Sequence, residues 1–350
     1  MAKLKKHITT QNVFLVIGLA ATVIMIKEIG ISIILDNLKQ TGWWFIPILL
    51  VWAVAYALNT VSTLLIFKDG SPDSRNIKFP MLYKITISSF AINSATPIGL
   101  AGGEPYKIME LKQYIGVTKA TSSVILFSMM HIVAHCFFWM ISVLLAVLYI
   151  PMKDGWTTLL ISIFIVCIAL TYLFFMGYRK GLAMKCMNFF GKVPFLKKRI
   201  MNIRDENKEK IEIIDQQIAS LHGKHKRRFY LALGNELFIR IFTCAEIYFC
   251  FMALGHPTSY INCILIMAFA SLFANILFFS PMQLGTREGG FMIIFSALGF
   301  TSAFGISISF VTRIRELIWM FFGMAIMKVT IKDGSKKLTE VRKEANTENP

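Results

Sequence analysis

The chain has 350 residues, of which 55% are hydrophobic and 16% charged, against about a quarter charged in an ordinary soluble domain. Its mean hydropathy is +0.60 and its formal net charge +17. These totals exclude a soluble globular protein, and with no DNA-binding motif present they set nucleic acid aside as the reason for the positive charge.

A helix crossing a bilayer needs about 20 apolar residues. The N-terminus carries Lys3, Lys5 and Lys6 ahead of an apolar run, as a signal peptide does, but no small-x-small cleavage site follows. An uncleaved first span over 12–34 is therefore expected. A second span is expected over 43–67. Segment 81–116 is long and apolar but interrupted by Pro, Gly and charge. Spans follow over 118–150 and 157–178. In 199–229, Ile203, Ile211, Ile214, Ile218 and Leu221 recur at helical spacing between basic ends. That pattern predicts a cytoplasmic amphipathic helix at the membrane surface, with a plain connector as the other reading. A span over 229–254, a second interrupted segment over 260–300 and a last span over 303–327 complete the series. A basic tail follows at 328–350. Trp43, Trp44 and Trp156 fall at predicted outer interfaces, where aromatic anchors belong. The six cysteines form no CxxC pair and read as small buried hydrophobes.

Lysine and arginine set the orientation. Segment 179–228 holds fourteen Lys and Arg against five Asp and Glu, and six follow residue 327. By contrast 27–42 has two, 150–156 one and 255–260 none. The two groups alternate if both termini are cytoplasmic. Segment 81–116 then enters and leaves from the inside, and 260–300 from the outside, so each is expected to be a re-entrant hairpin.

The two interrupted segments share an order of rare features. Pro97, Leu100 and Glu104 match Pro281, Leu284 and Glu288 in spacing. Gly116, Thr118 and Ala120 match Gly299, Thr301 and Ala303. Each segment is the third of four elements in its half. The expected fold is thus an all-α polytopic membrane protein of two inverted-topology repeats, 1–150 and 157–327, with about six full spans plus two hairpins. Matching breaks point to a substrate site, because irregular backbone at membrane depth needs protein, water or ligand to satisfy it. Thr118 and Thr301 are candidate helix caps.

Ionisable residues inside spans are functional candidates. Arg287 and Glu288 are adjacent and cannot simply neutralise each other. Arg287 suits a lipid phosphate, through its planar fork. Glu288 suits an orienting, ion-binding or amine-binding role; a structural ion pair is the alternative. Glu104, at a helix start, has the same two readings. Lys107 and Glu110 are expected near the cytoplasmic surface. Glu236 and Arg240, four apart, could pair along one face. Glu246 has no local partner, so Arg287, Arg313 or Arg315 is expected to reach it. Arg313, Arg315 and Glu316 suggest a cationic, water-accessible cavity ahead of internal ion pairing. His131 and His135 lie four apart, but "HIVAH" lacks the Glu of HExxH, so polar packing or headgroup contact is expected and no metal.

These motifs resemble the transmembrane flippase-like domain of the lysylphosphatidylglycerol synthases and the stand-alone membrane proteins grouped with it. Gly102-Gly103-Glu104 matches the first-half motif; Pro281, Gly285, Arg287 and Glu288 match the second. The likeness covers about 10–330 and implies movement of an anionic or aminoacylated lipid headgroup between leaflets of the cell membrane. Only about twenty residues follow the last span, so the synthases' aminoacyl transfer is not expected here. Lys107 fills the place of a basic residue that follows the family's first Glu, but the next basic position, on the following span, is Met130-His131. The residues expected at a substrate site are Gly102, Gly103, Glu104, Arg240, Glu246, Gly285, Arg287, Glu288, Arg313 and Arg315.

The expected activity is lipid transport without a cofactor. "GGEPYK" is not a P-loop, which leaves an ion gradient or the lipid gradient as the energy source. The competing readings are an enzyme acting on lipid-linked phosphate or sugar, with Glu104 and Glu288 as acid and base, and a non-transporting partner of such an enzyme. Expected partners are the bilayer and an anionic headgroup, with a lipid-modifying enzyme or a second copy of the chain as further candidates.

Overall fold

A computed structural model describes residues 29–67, 77–95, 102–150, 156–180, 208–276 and 286–347, with scattered positions between 12 and 27. All its described elements are helices, as the apolar composition and 3.6-residue periodicity require. They are α1 (Ile31–Thr41), α2 (Phe45–Phe67), α3 (Phe79–Ala95), α4 (Gly103–Ile115), α5 (Val117–Tyr149), α6 (Trp156–Lys180), α7 (Lys208–Thr243), α8 (Ala245–Ala253), α9 (Tyr260–Ile276), α10 (Thr286–Ala297) and α11 (Ser302–Thr347).

Three stretches are long and apolar enough to cross a membrane: Ile31–Phe67, Val117–Tyr149 and Thr157–Met176. The expected spans at 229–254 and 303–327 are helical, but each carries three charged residues in its middle, which keeps their hydropathy low. The first of them departs from expectation in shape. α7 runs unbroken from Lys208 through the amphipathic segment and ends at Thr243; α8 restarts at Ala245. The turn at Cys244 tightens to an i→i−3 bond, with Cys244 N–H donating to Ile241 O at 3.1 Å. Residues 31–41, expected to be mostly outer loop, form α1, which a 3-10 turn at Gly42–Trp44 joins to α2. Its Ile31, Ile33 and Leu35 are exposed, as is Trp43 at 72%. Apolar surface of this extent belongs in lipid or at its boundary.

Each interrupted segment is a pair of short helices packed together, α3 on α4 and α9 on α10. Pro97 and Pro281 lie outside the described residues. After each pair, a glycine in a left-handed conformation turns the chain into a long helix: Gly116 at φ +78° and Gly299 at φ +81°. An L-residue is strained at both positions. At Gly299 the chain closes a Schellman-type end, with Phe300 N–H donating to Phe295 O at 2.9 Å. Thr118 does not cap α5; Gly116 is the N-cap residue and no side chain bonds there.

α7 lies against α2 and α5, and α11 against α3 and α10. The largest apolar cluster joins α8, α9, α10 and α11 through Ile247, Phe251, Phe269, Phe291, Phe295 and Ile308. A second joins α5 to α7 through Phe127, Met130, Ala232 and Leu233. α3 and α11 touch backbone to backbone. A Cβ at Gly323 would stand 2.7 Å from both Ala91 Cβ and Ile87 O, and Ser88 Oγ donates to Gly323 O at 3.1 Å. Small residues at such a crossing are how helices approach closely in lipid. Gly323→Ala should therefore destabilise the protein by about 1–3 kcal/mol. Gly234→Ala, in α7 with nothing within 4 Å, should be neutral or stabilise by about 0.5–1 kcal/mol. Thermal unfolding in detergent checks both, and equal shifts would contradict the close crossing.

Candidate functional site

The charges on α11 are its defining feature. Arg313 and Arg315 are two residues apart, so they project from opposite sides of the helix, while Glu316 returns to the side of Arg313. On that side α10 presents the adjacent pair Arg287-Glu288. The partners cross: Arg313 Nε donates to Glu288 Oε1 at 3.0 Å and Arg287 Nη1 to Glu316 Oε2 at 2.9 Å. Ser309 Oγ, one turn before Arg313, also reaches Glu288 Oε1, at 3.4 Å. Neighbouring opposite charges on one helix are thus each matched on the next.

On its other side Arg315 grips Glu246 of α8 with both arms, Nε to Oε1 at 2.8 Å and Nη2 to Oε2 at 3.2 Å. Both residues are buried, Glu246 completely. Trp52 of α2 completes the unit. Its indole N–H donates to Glu246 Oε2 at 2.8 Å, and the Arg315 guanidinium stacks on its ring at 3.9 Å. A bidentate fork and an aromatic face are what arginine uses where lysine cannot. The break after Thr243 puts Glu246 in the first turn of α8, where free N–H groups also favour a carboxylate.

A second polar cluster lies between α5 and α7. His131 Nδ1 is 2.8 Å from Glu236 Oε2, and Arg240 Nη2 lies against both ring nitrogens of the same histidine. Glu236 and Arg240 are therefore joined through His131 instead of pairing along their own helix. Lys107 comes from α4 and sits over the Phe127 ring at 4.6 Å. Lys107 and Glu110, for which the sequence leaves a solvated role and a functional one both open, are buried. The cause is that α4 packs its length on α5.

At the first break, Gly102 is the N-cap of α4 and Gly103 its first residue. Gly103 N–H donates to Asn93 Oδ1 at 2.7 Å, and Asn93 Nδ2 reaches Glu104 Oε1 at 3.4 Å. A Cβ on Gly103 would fall 2.5 Å from Ser89 O and 2.7 Å from Asn93 Cγ, so its role is close approach. Glu104 Oε2 is buried and without a hydrogen-bond partner.

Between the two clusters lies a cavity of about 150 Å³. Arg240, Arg287, Arg315 and Glu316 line it, with His135, Thr243, Ser271, Asn275 and an apolar wall that includes Trp52, Phe90, Phe138, Met267 and Phe291. Three arginines face it against one carboxylate. The structure thus brings Arg240, Arg287 and Arg315 together, with Glu246, Glu288 and Arg313 immediately behind as partners. Gly102, Gly103 and Glu104 do not line the cavity. Gly285 lies outside the described residues. The α11 arginines are ion-paired, and Arg315 also lines the cavity. Trp52, Asn93 and the His131–Glu236 contact were not anticipated; only the Asn93 position, beside the first break, carried any local signal. Among the described residues no group of three metal-ligating side chains converges.

The family model of the lysylphosphatidylglycerol synthase transmembrane region matches residues 13–323. No curated protein and no solved structure matches the chain.

Breaking one member of a buried pair leaves its partner charged and unsolvated. Glu246→Leu alone and Arg315→Met alone should each cost about 3–5 kcal/mol, and the two together far less. Denaturation of the two single variants and the double variant checks this. Costs that simply add would contradict the pair.

Proposed function

The chain belongs to the family of the lysylphosphatidylglycerol synthase transmembrane region and is a multi-pass membrane protein; we propose that it moves an anionic lipid headgroup between the leaflets of the cell membrane, through the cavity between α7, α9, α10 and α11. The observation that carries the reading is the convergence of Arg240, Arg287 and Arg315 on one cavity with apolar walls. Guanidinium forks suit a phosphate diester, and an apolar wall suits the chains that trail from it. Arg287 stands in the first described turn of α10. An entering phosphate competes with Glu316 for Arg287, so the internal pair holds the site closed without a ligand. The lipid is moved and not altered. Glu288, the second half's candidate acid–base group, is engaged by Arg313, which supports transport over hydrolysis or transfer.

Movement would come from two inverted repeats rocking about the cavity. In support, each half carries a packed pair of short helices followed by a left-handed glycine and a long helix. The pairs α3–α4 and α9–α10 are then re-entrant, entering from the cytoplasmic and outer faces respectively, with both termini cytoplasmic.

In vesicles containing the purified protein, a fluorescent phosphatidylglycerol should exchange leaflets faster than in empty vesicles. Arg240→Ala and Arg287→Ala should each slow it about tenfold or more, the scale of one lost charge-assisted hydrogen bond. No acceleration by the wild type, with anionic phospholipids and polyprenyl phosphates both tried, would end the transport reading. A cysteine introduced at Phe300 should react with an impermeant reagent only from outside. Reaction only from the cytoplasm would remove the inverted arrangement.

A further inference from the structure

The cluster between α5 and α7 has a property that anion binding does not use. Glu236 is fully buried. Its Oε2 contacts His131, while its Oε1 is buried with no hydrogen-bond partner. Ser62 lies beside the carboxylate and interacts with it, but the hydrogen bonds its hydroxyl makes are to Ala232 O at 3.4 Å and from Asn235 Nδ2 at 2.8 Å. A bare carboxylate oxygen in an apolar interior is a place to put a proton.

One tautomer of the histidine suits the contact to Glu236 and the contact at Nε2. With Nδ1 protonated, His131 donates to Glu236 Oε2, and its Nε2 accepts from Arg240. A second proton on the ring would meet the arginine. In that tautomer Oε1 of Glu236 is the open proton position on the His131–Glu236–Arg240 contact, and the Nδ1 of the neighbouring His135 is likewise buried without a hydrogen-bond partner. The charged groups facing it are Arg240 from its own helix, His131 and then His135 from α5, and Lys107 from α4. α2, which also packs on α7, has no charged residue between Phe45 and Phe67. Arg240 belongs to both places, since it touches His131 and lines the cavity.

We propose that Glu236 and His131 form a proton-coupling site, in which Glu236 Oε1 takes up one proton as an anionic headgroup occupies Arg240 and releases it when the headgroup leaves. The step rests on the transport reading above. One negative charge entering the cavity is balanced by one proton on the carboxylate. With Glu236 neutral, Arg240 is no longer held toward it through His131 and turns fully to the anion. By linkage the effect is reciprocal, so the proton raises anion affinity by the same factor as the anion raises proton affinity, about 5–150-fold for typical couplings. His131 stands where the family resemblance places a basic residue. A fixed cation there would serve anion binding alone, whereas a histidine paired with a buried acid adds a proton.

The test uses glycerophosphoglycerol, a headgroup diester whose charge is constant between acid and neutral pH, so any pH dependence belongs to the protein. Purified full-length protein should bind it about tenfold more tightly at acid than at neutral pH. Glu236→Gln, which imitates the protonated acid, should bind it at neutral pH as tightly as the wild type does at acid pH, with the pH dependence gone. In vesicles with a lumenal pH dye, wild-type lipid transfer should carry protons, and transfer by the variant should not. Lipid transfer by the wild type with pH-independent binding and no proton movement would overturn the coupling and leave the transport reading standing. A variant that kept the full pH response would do the same. No binding and no transfer by the wild type would remove both. The wild-type measurements decide the matter even where the variant does not fold.

Discussion

Charge inside an apolar medium must be matched, and the matching of Arg315 organises the second half of this protein. The residue is buried on a helix whose neighbours are apolar. An isolated guanidinium there would cost several kcal/mol. It is satisfied by two bonds to Glu246 and by the face of Trp52, and so three helices remote in sequence are held at one point. Glu246 stands in the first turn of α8, just past the point where α7 stops at Thr243. On the other side of α11, Arg313 and Glu316 fix α10 in the same manner through the crossed pairs to Glu288 and Arg287.

Matching of this kind is directional, and it leaves a remainder. Arg315 and Arg287 have their carboxylates, but Arg240 meets a histidine instead and touches no carboxylate directly among the described residues. The cavity opens where that mismatch occurs. A fully paired interior would be closed, and a wholly unpaired one would not fold. A site for a transient anion needs arginines whose internal partners can be exchanged at little net cost, which is the condition a buried pair near balance provides.

Much of this was legible in the sequence, and the reasons for the rest are physical. Pro and Gly mark the two breaks, because their backbone chemistry is local. That Glu246 must find a distant arginine also follows locally, from its lack of any partner within a turn. Which arginine does not follow, since that depends on the crossing of α8 and α11. The Glu236–Arg240 spacing suggested a pair along one helix, but packing against α5 inserted His131 between them. For Lys107 and Glu110 the sequence leaves a solvated and a functional role equally open, because α4 is polar in composition and it is its docking on α5 that buries them. The helical spacing of 199–229 was visible, yet its continuity with the following span was not, because Lys, Glu and Arg are good helix formers that place no boundary.

The two breaks are alike in backbone and unlike in side chains, and that difference bears on how transport could be directional. At the second break every described charge meets an opposite charge on α11. At the first, Glu104 is held by an amide, Asn93, and keeps one buried oxygen unsatisfied. Lys107, a turn further on, lies within electrostatic reach of both Glu104 and Glu236. A line of polar groups thus runs from the first break through Lys107, Glu236 and His131 to Arg240 and the cavity, while the ion pairs of the second break brace the opposite wall. In a symmetric carrier both leaflets would meet the same chemistry. If the arginines hold an anion as proposed, it would meet exchangeable ion pairs on the side of the second break and the His131–Glu236 cluster on the other.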